Sequence, residues 1–177
     1  MSLFINALTI FRILAGPLVF ILILVYQLFF LGLLVALTAS LTDYFDGYLA
    51  RKYSAVSDFG KIFDPIADKV LVCFSLISIT LYLNNAFIGF LTSTVLMREI
   101  IVSGLREFAS YSSNSNLLAV SFLAKIKTTL QLVTIVSYLV GFSLNNAFLV
   151  FISHWIFFLA TMVTIKTGYD YYTKLFK

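Results

Sequence analysis

Four aspartates in a stretch of 26 residues, Asp43-x2-Asp46 and Asp64-x3-Asp68, are the side chains whose type and spacing can do chemistry. Offsets of three and four put side chains on one face of a helix. Asp43 and Asp46 therefore share a face with Gly47 and Ala50, and Asp64 and Asp68 share one with Gly60. Two such helices with a short connection can aim four carboxylates at one point. In a poorly hydrated pocket four carboxylates cannot all ionise without positive charge beside them, because desolvation and like charge both favour the neutral form. A divalent cation, or two, supplies that charge. Hard oxygen donors with no His or Cys among them favour Mg²⁺ or Mn²⁺ over zinc. Such ions polarise phosphoryl oxygens and stabilise a leaving phosphate.

The residues between the aspartates fit the same purpose. Gly47 and Ala50 leave room for a substrate against the helix backbone, and Arg51 offers a planar donor fork for a phosphate. The alternative is structural: small residues let membrane helices pack closely, and Asp and Arg pair with each other.

The elements that hold these residues follow from hydropathy. The chain has 177 residues, 61% of them hydrophobic, with a mean hydropathy of +1.02. That is far above the balance of a soluble domain, so the bilayer is its solvent. Two prolines and eight glycines, together with long charge-free runs, exclude a β-barrel that alternates between lipid and lumen. The expectation is an all-α, polytopic membrane helical bundle of six spans, forming one domain over 1–177.

The run from Ile13 to Thr42 has no charge and a soft break at Tyr26-Gln27. It is too short for two spans, so the second helix must continue through Asp43 and Asp46 to about Ala50. Arg51 to Lys61 reads as a polar connection. A third helix opens with Asp64 and Asp68, and a fourth runs from about Phe87 to Tyr111. After a polar loop at Ser112–Asn116 a fifth begins near Leu117, and the sixth ends near Lys166 before Gly168. Leu-Asn-Asn-Ala-Phe occurs twice, at Leu83–Phe87 and Leu144–Phe148, each time at an expected external turn. The phrase is either a trace of duplication or two turns meeting one requirement.

All 12 Lys and Arg residues fall toward one side of this bundle, which by the positive-inside rule puts both termini and the charged chemistry on the cytoplasmic face. The formal charge of +4 therefore records topology, not nucleic-acid binding. The start lacks the basic flank of a secretory signal and the presequence of a mitochondrial protein, so the first helix is expected to be retained and the home to be a bacterial inner (cytoplasmic) membrane. Cys73, the single cysteine, reads as packing. Tyr169, Tyr171 and Tyr172 read as an interfacial aromatic belt, and His154 and Trp155, inside the sixth helix, as packing or a subunit contact.

The string from Asp43 to Asp68, with Gly47, Ala50, Arg51 and Gly60 at their places, resembles the signature of the CDP-alcohol phosphatidyltransferase family, and the six-helix hydropathy is similar along the whole chain. The resemblance implies a CDP-linked lipid donor, two metal ions held by Asp43, Asp46, Asp64 and Asp68, and Asp68 as general base. It also implies a homodimer, and it places Asn6, Thr9 and Arg12 beside the nucleotide. Read by themselves, Asn6 or Thr9 could equally cap a helix.

Asn6-Ala7-Leu8-Thr9-Ile10-Phe11-Arg12, Asp64-Pro65-Ile66-Ala67-Asp68-Lys69, Arg98-Glu99 with Leu105-Arg106-Glu107, and Lys125-Ile126-Lys127-Thr128-Thr129 are most similar to the branch that uses CDP-diacylglycerol as donor and sn-glycerol 3-phosphate as acceptor. Ile5 departs from it, where a proline is usual. Physically, Arg98 and Arg106 lie eight residues apart on the fourth helix, and Lys125 and Lys127 open the fifth. Together they can bind an acceptor that carries its own phosphate, or instead snorkel to head groups and pair with Glu99 and Glu107. The rival readings are the same chemistry on phosphatidylglycerol or serine, and a divalent-cation transporter. A transporter would need charges continuing to the external half of the helices, where there are none.

Overall fold

A computed structural model describes the backbone of residues 2–52, 58–111 and 122–176, and the side chains of 6–42, 60, 62–109, 123 and 125–176. Within them the chain is helical apart from three short turns: α1 (Ser2–Leu24), α2 (Phe29–Lys52), α3 (Asp58–Leu83), α4 (Ala86–Tyr111), α5 (Phe122–Ser143) and α6 (Ala147–Phe176). Five of the six are long and apolar enough to cross a membrane, and the described apolar part of α2 is Phe29–Thr42. A bilayer imposes this, since a spanning segment must satisfy every backbone N–H and C=O within itself.

The turns are built from the residues that break the hydropathy. Gln27, Asn84 and Asn145 adopt positive φ, at 53°, 47° and 48°, a left-handed conformation in which asparagine ends helices readily. The repeated Leu-Asn-Asn-Ala-Phe phrase has one physical role at both places. Its first asparagine closes a helix and its second caps the next. The Asn85 side chain accepts from the Phe87 and Ile88 amides at 2.9 and 3.3 Å, and Asn146 accepts from Phe148 and Leu149 at 3.0 and 3.2 Å.

The inner faces meet in a core of Val19 and Ile23 (α1), Ala36 and Ala39 (α2), Leu76 and Ile79 (α3), Leu91 and Val95 (α4), Leu139 (α5) and Phe157 (α6). Leu14, Phe90, Phe148 and Trp155 point outward, as they should where the surroundings are hydrocarbon. α1 lies closely along α3: a Cβ built on Gly16 would come within 2.9 Å of the Val70 carbonyl oxygen and 3.0 Å of its Cγ1. The near obstacle is backbone, which cannot swing away. Gly16→Ala is therefore expected to lower stability by about 1–3 kcal/mol, read as an earlier thermal transition in detergent; an unchanged transition would mean that the two helices have slack there.

Two boundaries differ from the sequence reading. α3 starts at Asp58 inside the expected polar connection, and α6 continues to Phe176, ten residues beyond Lys166. The expected loop at Ser112–Asn116 and the start of the fifth helix at Leu117 fall outside the described residues.

Candidate functional site

α1 and α3 make the first half of the site. Asp64 and Asp68 stand one turn apart on α3 and face α1, where Thr9 and Arg12 are three residues apart on one face. Thr9 is fully buried and Arg12 is 1% exposed. The Thr9 hydroxyl donates to Asp64 Oδ1 at 2.8 Å. One Arg12 nitrogen, Nη2, donates to that same oxygen at 2.9 Å, and Nη1 donates to Asp68 Oδ1 at 2.8 Å. A single planar guanidinium thus spans two carboxylates, which the point charge of a lysine cannot do with the same geometry. The carboxylates stay open on their other side, with side-chain exposures of 39% for Asp64 and 54% for Asp68.

α4, α5 and α6 make the second half. Glu99 on α4 accepts from Lys127 Nζ on α5 at 2.5 Å and from its neighbour Arg98 at 3.3 Å. All three are buried, so the pairing spares each charge an uncompensated place in a poorly hydrated interior. Arg98 also reaches α6, donating from Nε to the Thr164 carbonyl at 3.2 Å and from Nη2 to the Thr167 hydroxyl at 2.9 Å. Gly168 makes this approach possible: a Cβ there would lie 3.1 Å from Arg98 Cγ. Arg106 Nη2 donates to the Tyr171 hydroxyl at 2.7 Å. Lys69, beside Asp68, hydrogen-bonds to Ser103 of α4 and joins the two halves.

Between the halves lies a cavity of about 520 Å³, within the range of small-molecule sites. Asp64, Asp68 and Arg12 form one wall; Arg98, Arg106, Lys125, Lys127 and Tyr171 form the other; Ala36, Ala39, Leu71 and Val102 provide apolar surface. Among its described lining residues, six cations (with Lys69) face three carboxylates (with Glu99). That excess suits an anionic ligand.

The sequence-predicted residues fall as follows. Asp64, Asp68, Arg98, Arg106, Lys125 and Lys127 all line the cavity, Lys125 as an exposed residue at its rim. Thr9 and Asn6 lie inside α1 and not at its start, so neither caps it. Thr9 holds Asp64; Asn6 is half-buried, and Gly60 is buried on α3. Asp43, Asp46, Gly47, Ala50 and Arg51 belong to α2, but their side chains are outside the described residues.

Two expectations are corrected. Tyr171 is not part of an aromatic belt but is 4% exposed and lines the cavity, because α6 does not stop at Lys166. Gly168, read as the end of that helix, instead provides the gap into which Arg98 fits. The sequence reading missed Arg12 as a partner of the α3 carboxylates, although its three-residue offset from Thr9 was visible. It also missed Tyr171, Thr164 and Thr167, whose roles depend on a contact between α4 and α6 that no local pattern encodes. His154 accords with its packing role: its Nδ1 is 2.6 Å from the Val150 carbonyl, and its ring meets Tyr138 edge-on.

Residues 3–166 match the family described as CDP-alcohol phosphatidyltransferase. A protein of Rickettsia typhi named CDP-diacylglycerol–glycerol-3-phosphate 3-phosphatidyltransferase is 40% identical over 94% of this chain and 93% of its own length. Proteins with the same name from Wigglesworthia glossinidia brevipalpis and Shigella flexneri are 40% identical over 76% of this chain and 75% of their own, and 34% identical over 93% and 90%. A match over nearly all of the bundle, with the carboxylate and cationic walls inside it, makes this chain a member of the CDP-alcohol phosphatidyltransferase family.

Proposed function

We propose that this enzyme transfers the phosphatidyl group of CDP-diacylglycerol to sn-glycerol 3-phosphate, releasing CMP and phosphatidylglycerophosphate, an anionic phospholipid precursor. The observation that carries the reading is the two-walled cavity, with carboxylates on one side and a cationic cluster opposite them. The names of the relatives support both substrates.

Arg98, Arg106, Lys125 and Lys127 take the acceptor's phosphate and leave its primary hydroxyl directed toward α3. That oxygen attacks the phosphorus next to diacylglycerol. A new P–O bond forms, the P–O bond to the CMP phosphate breaks with its electron pair leaving on CMP, and the hydroxyl proton passes to Asp68. Asn6, Thr9, Gly47, Ala50, Arg51 and Gly60 border the donor, with Thr9 acting through Asp64.

The donor set suits two Mg²⁺ or Mn²⁺ ions. Asp64 and Asp68 present hard oxygens one turn apart, held from behind by Arg12 and Thr9 while open to the cavity, and Asp43 and Asp46 would complete the set from α2. When bound, such ions neutralise the carboxylates and the diphosphate and polarise the phosphoryl oxygens. The positive-inside pattern supports a site on the cytoplasmic face of a bacterial inner membrane, and the family resemblance supports a homodimer.

The test is CMP release from CDP-diacylglycerol by purified protein, with and without Mg²⁺ or Mn²⁺ and glycerol 3-phosphate. Release requiring both metal and glycerol 3-phosphate is expected. Release with phosphatidylglycerol or serine instead would change the acceptor and keep the chemistry; a folded protein that released no CMP with any acceptor would overturn the assignment.

A further inference from the structure

Arginine forks bind phosphate well only when they are held in place, because an arginine side chain gives up much rotamer freedom on binding. Arg98 is held by α6 through Thr164, Thr167 and the gap at Gly168. Arg106 is different. It lies two turns further along α4 and is exposed, so an anchor outside its own helix is needed to hold its direction. Tyr171, one turn beyond Thr167 on α6, provides one. Its hydroxyl accepts from Arg106 Nη2 at 2.7 Å, the Arg106 Cζ lies 5.1 Å from its ring centroid, and the Arg98 Cζ lies 5.9 Å from that centroid. One nearly buried phenol therefore touches both guanidiniums at the cationic wall. Cation–ring attraction adds to a hydrogen bond of known direction.

We propose that Tyr171 is a positioning residue for the acceptor's phosphate: it fixes Arg106, and with it the spacing of the Arg98–Arg106 pair, so that the two forks are set before the acceptor arrives. This rests on the function proposed above. It gives the final ten residues of α6, beyond Lys166, a role in substrate recognition that is separate from spanning the membrane. Because Tyr171 acts on the phosphate end of the acceptor, its loss weakens acceptor binding and leaves the attacking hydroxyl, the donor and Asp68 unaffected.

The experiment is a double-mutant cycle with Tyr171→Phe, which keeps the ring and removes only the hydroxyl, and Arg106→Ala. Initial rates of CMP release are measured while glycerol 3-phosphate and CDP-diacylglycerol are varied in turn. For Tyr171→Phe the KM for glycerol 3-phosphate is expected to rise about fivefold to tenfold, the scale of one net hydrogen bond felt through Arg106. Its kcat and its KM for CDP-diacylglycerol should stay within about twofold of wild type. In the Arg106→Ala background, Tyr171→Phe should shift the acceptor KM by less than about twofold, since a residue that acts through another adds nothing once that other is gone. An unchanged acceptor KM in Tyr171→Phe overturns the proposal. So does a full further rise on the Arg106→Ala background, or a fall in kcat with a shift in donor KM, which marks a merely structural residue. Wild-type protein that releases no CMP with glycerol 3-phosphate overturns the function itself, and this proposal with it; glycerol 3-phosphate dependence with an unmoved KM overturns the proposal alone.

Discussion

Asp68→Asn is expected to abolish CMP release, with a loss of at least about 10³-fold in kcat, in protein that still folds. The two halves of this expectation have separate grounds. Asparagine keeps the size of the side chain, and its amide oxygen can still accept from Arg12 Nη1 in place of the carboxylate Oδ1, now 2.8 Å away. Arg12, the buried partner, keeps its ion pair with Asp64 at 2.9 Å, so no uncompensated buried charge is left by the change. Thermal unfolding in detergent should therefore move little. Catalysis should not survive, because the substitution removes a proton acceptor and a hard anionic ligand in one atom-sized change. An amide cannot take the acceptor's proton at neutral pH, and it holds a divalent ion weakly. Near-wild-type turnover in Asp68→Asn would transfer the base role to another residue. A loss of turnover together with a large drop in melting temperature would make Asp68 a structural ion-pair partner instead.

Much of this architecture is legible in the sequence, and what is hidden has a common cause. Helices in hydrocarbon need about 20 apolar residues each, so α3 to α6 and the breaks at Gln27, Asn84 and Asn145 can be read from charge and turn residues alone. The helix face shared by Asp64 and Asp68 follows from a four-residue offset. The cationic wall is legible as a composition, since Arg98, Arg106, Lys125 and Lys127 do line one cavity. What local pattern leaves out is which helix touches which. The pairing of Arg12 with Asp64 and Asp68 crosses 52 and 56 residues of sequence, and that of Arg106 with Tyr171 crosses 65. Gly168 shows the same limit at a single residue. A glycine followed by tyrosines and lysines reads as a helix end, yet its lack of a side chain is used by Arg98 of another helix, and α6 continues through it.

Arg12 is where that hidden pairing should matter most. Its guanidinium is the one described cation in contact with both α3 carboxylates, and it is buried while they are open. That asymmetry makes it a fixed frame shared by the two acids. Arg12→Ala should cut kcat/KM by about 10²-fold or more, the scale of loss that follows from a small misplacement of catalytic groups. Stability should fall by only about 1–3 kcal/mol, because the freed carboxylates can turn toward the cavity instead of remaining buried and unpaired. Arg12→Lys separates charge from geometry. The ammonium keeps the positive charge beside Asp64 and Asp68 but cannot span both Oδ1 atoms in one plane, so it should recover most of the stability and less than about a tenth of the lost activity. If Arg12→Lys instead restores full turnover, the site needs only a counter-charge there, and the planar fork has no catalytic consequence. If Arg12→Ala is itself close to wild type in rate, Thr9 and the α3 backbone are enough to aim the two aspartates.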